Sequence, residues 1–131
     1  MKMAPLAARY SALRITQEGE DLRMPRYMVQ FAYTAAAWTA LTKNPQNRAE
    51  GLNALAERMG GRLLDLYYCF GEYDGMAILE LPDDTAATAA VLAAIAPGHV
   101  KSSRTTRLMS VEETMDAMRK AGSATYAGPT G

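Results

Sequence analysis

The stretch Leu63-Leu64-Asp65-Leu66-Tyr67-Tyr68-Cys69-Phe70-Gly71-Glu72-Tyr73-Asp74-Gly75-Met76-Ala77-Ile78-Leu79-Glu80-Leu81 decides the fold. Two apolar runs flank a short polar segment bracketed by glycines, which is the pattern of a β-hairpin. Glycine accepts the positive φ of a tight reversal, and an aspartate can bond nearby backbone N–H groups and hold the loop shut. The register follows from side-chain alternation, because a slip of one residue turns a whole strand over. A loop of Gly71 to Asp74 sets Phe70 opposite Gly75, Cys69 opposite Met76, Tyr67 opposite Ile78 and Asp65 opposite Glu80. Leu64, Leu66 and Tyr68 then share one side with Ala77, Leu79 and Leu81, a coherent core face. A loop shorter by one residue would bury Asp65 against Leu79 without a partner, which is costly.

Upstream, Tyr27 to Tyr33 is rich in β-formers and predicts a first strand. Thr34 precedes a short helical piece, Ala35 to Leu41. Asn44 reads as the N-cap of the next helix with Pro45 in its first turn, and Ala49, Leu52, Leu55, Ala56 and Met59 recur at helical spacing until Gly60-Gly61. Arg62 to Phe70 and Met76 to Leu81 are the second and third strands. Pro82-Asp83-Asp84 places acids at the start of an alanine-rich helix that ends at Pro97-Gly98. Small side chains let that helix lie close against a sheet. Val100 to Leu108 predicts a fourth, more polar strand, and Ser110 with Glu113 forms a capping box for a last helix closed by Gly122. The order is βαββαβ plus a terminal helix: an α+β, ferredoxin-like fold with a four-stranded antiparallel sheet and helices on one face.

The domain is expected to span residues 24–121. Residues 1–23 show no sustained period and read as a disordered leader or an upstream-start extension, the other reading being a docking helix through Leu6, Tyr10 and Leu13. Residues 122–131 read as a flexible tail.

With 131 residues, 49% of them hydrophobic, the chain suits one core. Fourteen basic and fourteen acidic residues cancel, so the charge footprint of a nucleic-acid binder or a polybasic membrane surface is missing. A single cysteine, Cys69, cannot form an internal disulfide, and no Cys/His cluster implies a metal. Ala86 to Ala96 is well short of the roughly 20 apolar residues of a spanning helix. These features imply a cytoplasmic protein with no nucleic-acid, membrane or cofactor partner.

The sheet face away from the helices carries Tyr67, Cys69, Met76 and Ile78, joined by Met28, Gln30 and Ala32. That surface is too apolar to stay wet, and large apolar patches mark interfaces or ligand sites. The expectation is a homodimer with sheet faces packed together; covering by residues 1–23 or by the last helix is the competing reading.

The run Tyr67-Tyr68-Cys69-Phe70-Gly71-Glu72-Tyr73-Asp74-Gly75, continuing through Glu80-Leu81-Pro82-Asp83-Asp84, resembles the GYD domain family, small and mostly bacterial proteins among the dimeric α/β-barrel, ferredoxin-like relatives. Weaker similarity lies in Met24-Pro25-Arg26-Tyr27, Lys43-Asn44-Pro45 and Thr105-Thr106. The resemblance implies the fold and dimerisation, but no reaction.

Several residues invite chemistry, each with a plainer explanation beside it. Asp65 opposite Glu80 would put like charges at about 5 Å, raising one pKa into the range of a general acid or base; pairing with Arg26 or Arg104 is the duller reading. Tyr73 and Asp74 present a phenol and a carboxylate at the loop, where a closed turn explains both. His99, the sole histidine, is a proton carrier or an ordinary loop residue. Cys69 would need a base to act as a nucleophile and reads better as buried filler. Trp38 stacks on a flat ligand or anchors a helix, and Met28 and Met76 suit a pocket or a dimer seam equally. The reading is a homodimeric module that binds a small apolar or aromatic ligand through Tyr67, Tyr73, Asp74, Met28, Met76 and Trp38. The alternative is a cofactor-independent monooxygenase or isomerase using Asp65, Glu80 and His99 with Tyr67.

Overall fold

A computed structural model describes residues 24–130. The expectations for residues 1–23 and for the end of the tail at Gly131 lie outside these. β1 (Arg26–Tyr33) leads to α1 (Ala35–Lys43) and α2 (Arg48–Arg58). The hairpin strands β2 (Arg62–Tyr68) and β3 (Gly75–Glu80) follow, then α3 (Asp84–Ile95), β4 (Val100–Leu108) and α4 (Val111–Gly122). The strands form one antiparallel sheet in the order β2-β3-β1-β4, with β1 and β3 central. This is the ferredoxin-like α+β arrangement.

Side-chain caps start each of the described helices. Thr34 accepts from the Ala37 N–H, Asp83 accepts from the Ala86 N–H, and Ser110 and Glu113 close a reciprocal capping box. One cap differs from expectation. Asn44 ends α1, its N–H bonded to the Ala40 carbonyl, and Asn47 is the N-cap of α2, accepting from the Ala49 N–H. α1 therefore runs on to Lys43, and Pro45 sits in the connection, where its missing N–H costs nothing.

The hairpin keeps the expected facing with a different register. Its last pair is Tyr68 with Gly75, so Cys69 to Asp74 form the loop, closed by the Cys69 N–H on the Asp74 carbonyl at 2.8 Å. Tyr67 faces Met76 and Leu66 faces Ala77, a shift of two residues from the sequence reading. An even shift leaves each side chain on its face. A bulge at Leu64 then breaks the alternation: Asp65 pairs with Ile78, whereas Leu63 pairs with Leu79 and Arg62 with Glu80. Leu63, rather than Leu64, thus joins the helix-side core of Tyr27, Ala56, Ala77, Leu79, Leu81, Ala87 and Ala90.

The same bulge dissolves the supposed pair of acids. Glu80, fully buried, lies between Arg26 at 3.5 Å and Arg62 at 3.7 Å, and its cross-strand partners are those two arginines. Glu80 thus faces two guanidinium groups, and the second carboxylate that a like-charge pair would need is not opposite it.

Two glycines of the hairpin, Gly71 in the loop and Gly75 at the start of β3, answer to local steric demands. Gly71 has φ +138°, a region L-residues rarely enter. Gly75 sits under the Phe31 ring, where an added Cβ would lie 2.5 Å from Phe31 Cζ and 2.9 Å from the Tyr67 carbonyl oxygen. Gly75→Ala is expected to cost about 2 kcal/mol or more through overpacking, read as a lower urea midpoint with an unchanged slope; a midpoint equal to wild type would contradict this account of the turn.

Candidate functional site

Two helices are fastened over different parts of the sheet. α2 is fixed to β2 through buried Asn53, whose side-chain oxygen accepts from the Leu63 N–H at 3.0 Å and whose amide donates to Glu57 at 2.7 Å. α3 is held near β1 and β4. The Tyr27 hydroxyl donates to Asp84 at 2.5 Å, and Arg107 approaches the same carboxylate at 4.0 Å. Burial, together with this anionic acceptor, pushes the Tyr27 phenol up to about 12.

Between those fastenings the sheet floor offers only modest side chains, Val29, Leu66, Ala77 and Leu79, and α3 presents Ala87, Ala90 and Ala94. A cavity of about 430 Å³ remains, walled on the other side by α1 and by Leu52 and Leu55 of α2. That size is within the range of small-molecule sites. Its lining is predominantly apolar. Among the described residues the polar side chains on it are Tyr33, Gln46, Arg48, His99 and Ser103, with no aspartate or glutamate.

One end of the cavity is closed by aromatic rings. Tyr33 lies 5.2 Å from both Phe31 and Trp38, and Tyr68 completes the group with its hydroxyl 3.4 Å from that of Tyr33. Burial and this hydroxyl contact push the Tyr33 pKa well above its usual value. Asp74 holds the cluster together. Its carboxylate oxygen accepts from the Tyr33 backbone N–H at 2.8 Å and from the Trp38 indole N–H at 3.1 Å, and its own N–H donates to the Phe31 carbonyl at 2.8 Å. The loop aspartate is thus a latch joining the hairpin to β1 and α1, which agrees with the closed-turn reading.

The remaining candidates fall on both sides of the sheet. Tyr67, Met76, Met28 and Asp65 lie in register on the face away from the cavity, as does Glu80. His99 alone of the three catalytic candidates lines the cavity, at its exposed rim. Asp65, Glu80 and His99 therefore do not form one site. Trp38 and Asp74 do not line the cavity and touch residues that do, Tyr33 for both and Phe31 for Asp74. Tyr73 sits half-buried in the loop, its carbonyl accepting from the Cys69 thiol at 3.3 Å, and Cys69 is exposed rather than buried filler. Among the described residues no group of His, Cys, Asp or Glu is arranged to hold a metal ion, and no helix is long and apolar enough to cross a membrane.

Sequence reasoning missed Tyr33, Arg48 and the cavity itself. The alanine content of α3 was the available signal, but small side chains suit close packing and open space equally. Only the placement of α2 over β2 decides between them.

The α+β sandwich with its latched hairpin defines a ferredoxin-like domain, and comparison narrows this further. The chain belongs to the GYD domain family, whose sequence model matches residues 27–118. No curated protein matches the chain. Among solved structures, MtbAldR is similar with a TM-score of 0.51 at 13% identity, covering 79% of this chain and 70% of that one. An AsnC family transcriptional regulator from Agrobacterium tumefaciens gives 0.44 at 11% identity, covering 79% and 68%. A transcriptional regulator from Neisseria meningitidis in complex with L-Met gives 0.43 at 15% identity, covering 82% and 71%. At such identities the likeness is one of fold alone.

Asp74→Ala removes the acceptor shared by Tyr33 and Trp38. The expected loss is about 2 kcal/mol for a partly buried, charge-assisted pair of bonds, with a red-shifted Trp38 emission as the ring gains water. Unchanged emission from this sole tryptophan would refute the latch.

Proposed function

We propose that this chain is a small-molecule-binding module whose ligand occupies the cavity between the sheet and the helices, and that it works as a homodimer. The observation that carries the first part is the cavity of about 430 Å³, apolar along its walls with a few polar groups at its rim. An apolar ligand would gain there the contacts that the alanines of α3 leave unmade.

The test uses the neutral dye N-phenyl-1-naphthylamine, which brightens in apolar surroundings. Wild type is expected to bind it saturably, and Ala94→Phe, which fills part of the cavity, is expected to weaken binding at least tenfold while the melting temperature holds or rises. Equal binding by both proteins would move the site elsewhere.

The dimer rests on the opposite face, where Met28, Met76 and Ile78 are half-buried and Tyr67 is exposed. Fully exposed Phe70 stands just beyond Tyr67, and α4 turns Val111, Met115 and Met118 to the surface. Sheet faces of two copies packed together would cover the strand residues by self-complementary contact. Light scattering at micromolar concentration is expected to give the mass of two chains, and Ile78→Arg the mass of one. If the Ile78→Arg monomer still binds the dye, the ligand site is the helix-side cavity; if it does not, the site is the seam between sheets.

A cofactor-independent monooxygenase or isomerase is the competing reading. It would have His99 and Tyr33 at the cavity, with Asp65, Glu80 and Tyr67 on the far side of the sheet. Two groups at a rim are a thin basis for proton transfer, which needs an acid or base within hydrogen-bond reach of the substrate.

A further inference from the structure

The polar groups of the cavity are unequal in charge. Among the described residues Arg48 is the one permanent charge on its lining, and His99 is the only other group there that can become cationic. Among the described residues no carboxylate lines the cavity and Arg48 makes no ion pair; its guanidinium donates to the neutral Gln46 side-chain oxygen at 3.1 Å. The other arginines whose ion pairs are described, Arg26, Arg62, Arg107 and Arg119, have carboxylate partners.

The position of that guanidinium is shaped by its own helix. Three residues on, Gly51 has no side chain, and a Cβ built there would lie 3.3 Å from Arg48 Nη2 and 3.5 Å from its Cζ. The arginine folds over the bare glycine, and both residues line the cavity. A larger residue at 51 would press it outward. Among the described residues a cation thus stands at the rim of an apolar space, bonded to an amide oxygen and paired with no acid.

We propose that the ligand of this cavity is an apolar carboxylic acid, its hydrocarbon or aromatic body lying between α3 and the sheet and its carboxylate paired with Arg48. This rests on the cavity reading given above and adds the charge of the head group. A guanidinium offers a planar fork that matches a carboxylate with two N–H bonds. An amine head would meet an uncompensated cation, and an alcohol would forgo the charge. Arg48 is exposed, which moderates the gain, since charge pairs open to water are screened.

The experiment displaces N-phenyl-1-naphthylamine with decanoic acid, decanol and decylamine, which share one chain and differ at the head. The readout is the ratio of acid to alcohol affinity within each protein, so a general loss of fold or cavity shape cancels. Wild type is expected to prefer the acid about tenfold, corresponding to about 1.4 kcal/mol, and to take the amine least well. Arg48→Met is expected to bring the ratio to one, and Arg48→Lys to restore part of it. A wild-type ratio of one, or a ratio unchanged in Arg48→Met, overturns the carboxylate proposal while displacement itself upholds the cavity. Failure of all three compounds to displace, with Ala94→Phe binding dye like wild type, overturns the cavity and the proposal together.

Discussion

Two helices anchored over different parts of one sheet cannot meet above its centre, and most of this molecule follows from that constraint. Asn53 ties α2 to the start of β2, while Tyr27 and Arg107 hold the first turn of α3 on the other side. The Asn53 anchor is specific because it satisfies a buried backbone N–H that has no water to turn to, whereas the Asp84 end of the other anchor is open to solvent. Ala56, Ala87 and Ala90 pack with Leu63, Leu79 and Leu81 into one core. Beyond that core the same alanine helix stands over Val29 and Ala77, and no described side chain is large enough to fill the gap. Protein interiors are normally close-packed, so a space of this kind is held open by its frame.

The residues that mark the family have a mechanical explanation here. Gly71 supplies the backbone conformation of the turn, Gly75 lets the Phe31 ring pass, and Asp74 binds backbone and indole N–H groups from two other elements. The motif thereby fixes the aromatic wall at one end of the cavity. A conspicuous carboxylate and phenol in a loop invite a catalytic reading, yet Asp74 has its carboxylate committed to bonds within the chain. Function has to be argued from the site and not from the signature. What the cavity offers a ligand is shape, apolar contact and one cation.

Much of the architecture was legible because several local rules agreed. The span of β4 and the capping box at Ser110 read directly, and the hairpin facing survived a register error because that error was even. The bulge at Leu64 was not legible. Leu63 and Leu64 are identical in type, so no pattern says which turns toward the helices, and the pairing of Asp65 depended on that choice. Asn44 and Asn47 posed a similar ambiguity, two good caps three residues apart with a proline between them. The cavity was the least legible feature, since empty space is a property of how elements are spaced and no residue type encodes it. Arg48 was invisible for the same reason, an ordinary first-turn residue until its glycine neighbour and its surroundings are seen together.

β4 closes one edge of the sheet, and its nine residues include Lys101, Arg104 and Arg107 among serines and threonines. A strand edge with free N–H and carbonyl groups is a template for runaway cross-β growth, and charged side chains along it deter the approach of another strand. Stacking of copies edge to edge into fibrils is thereby disfavoured.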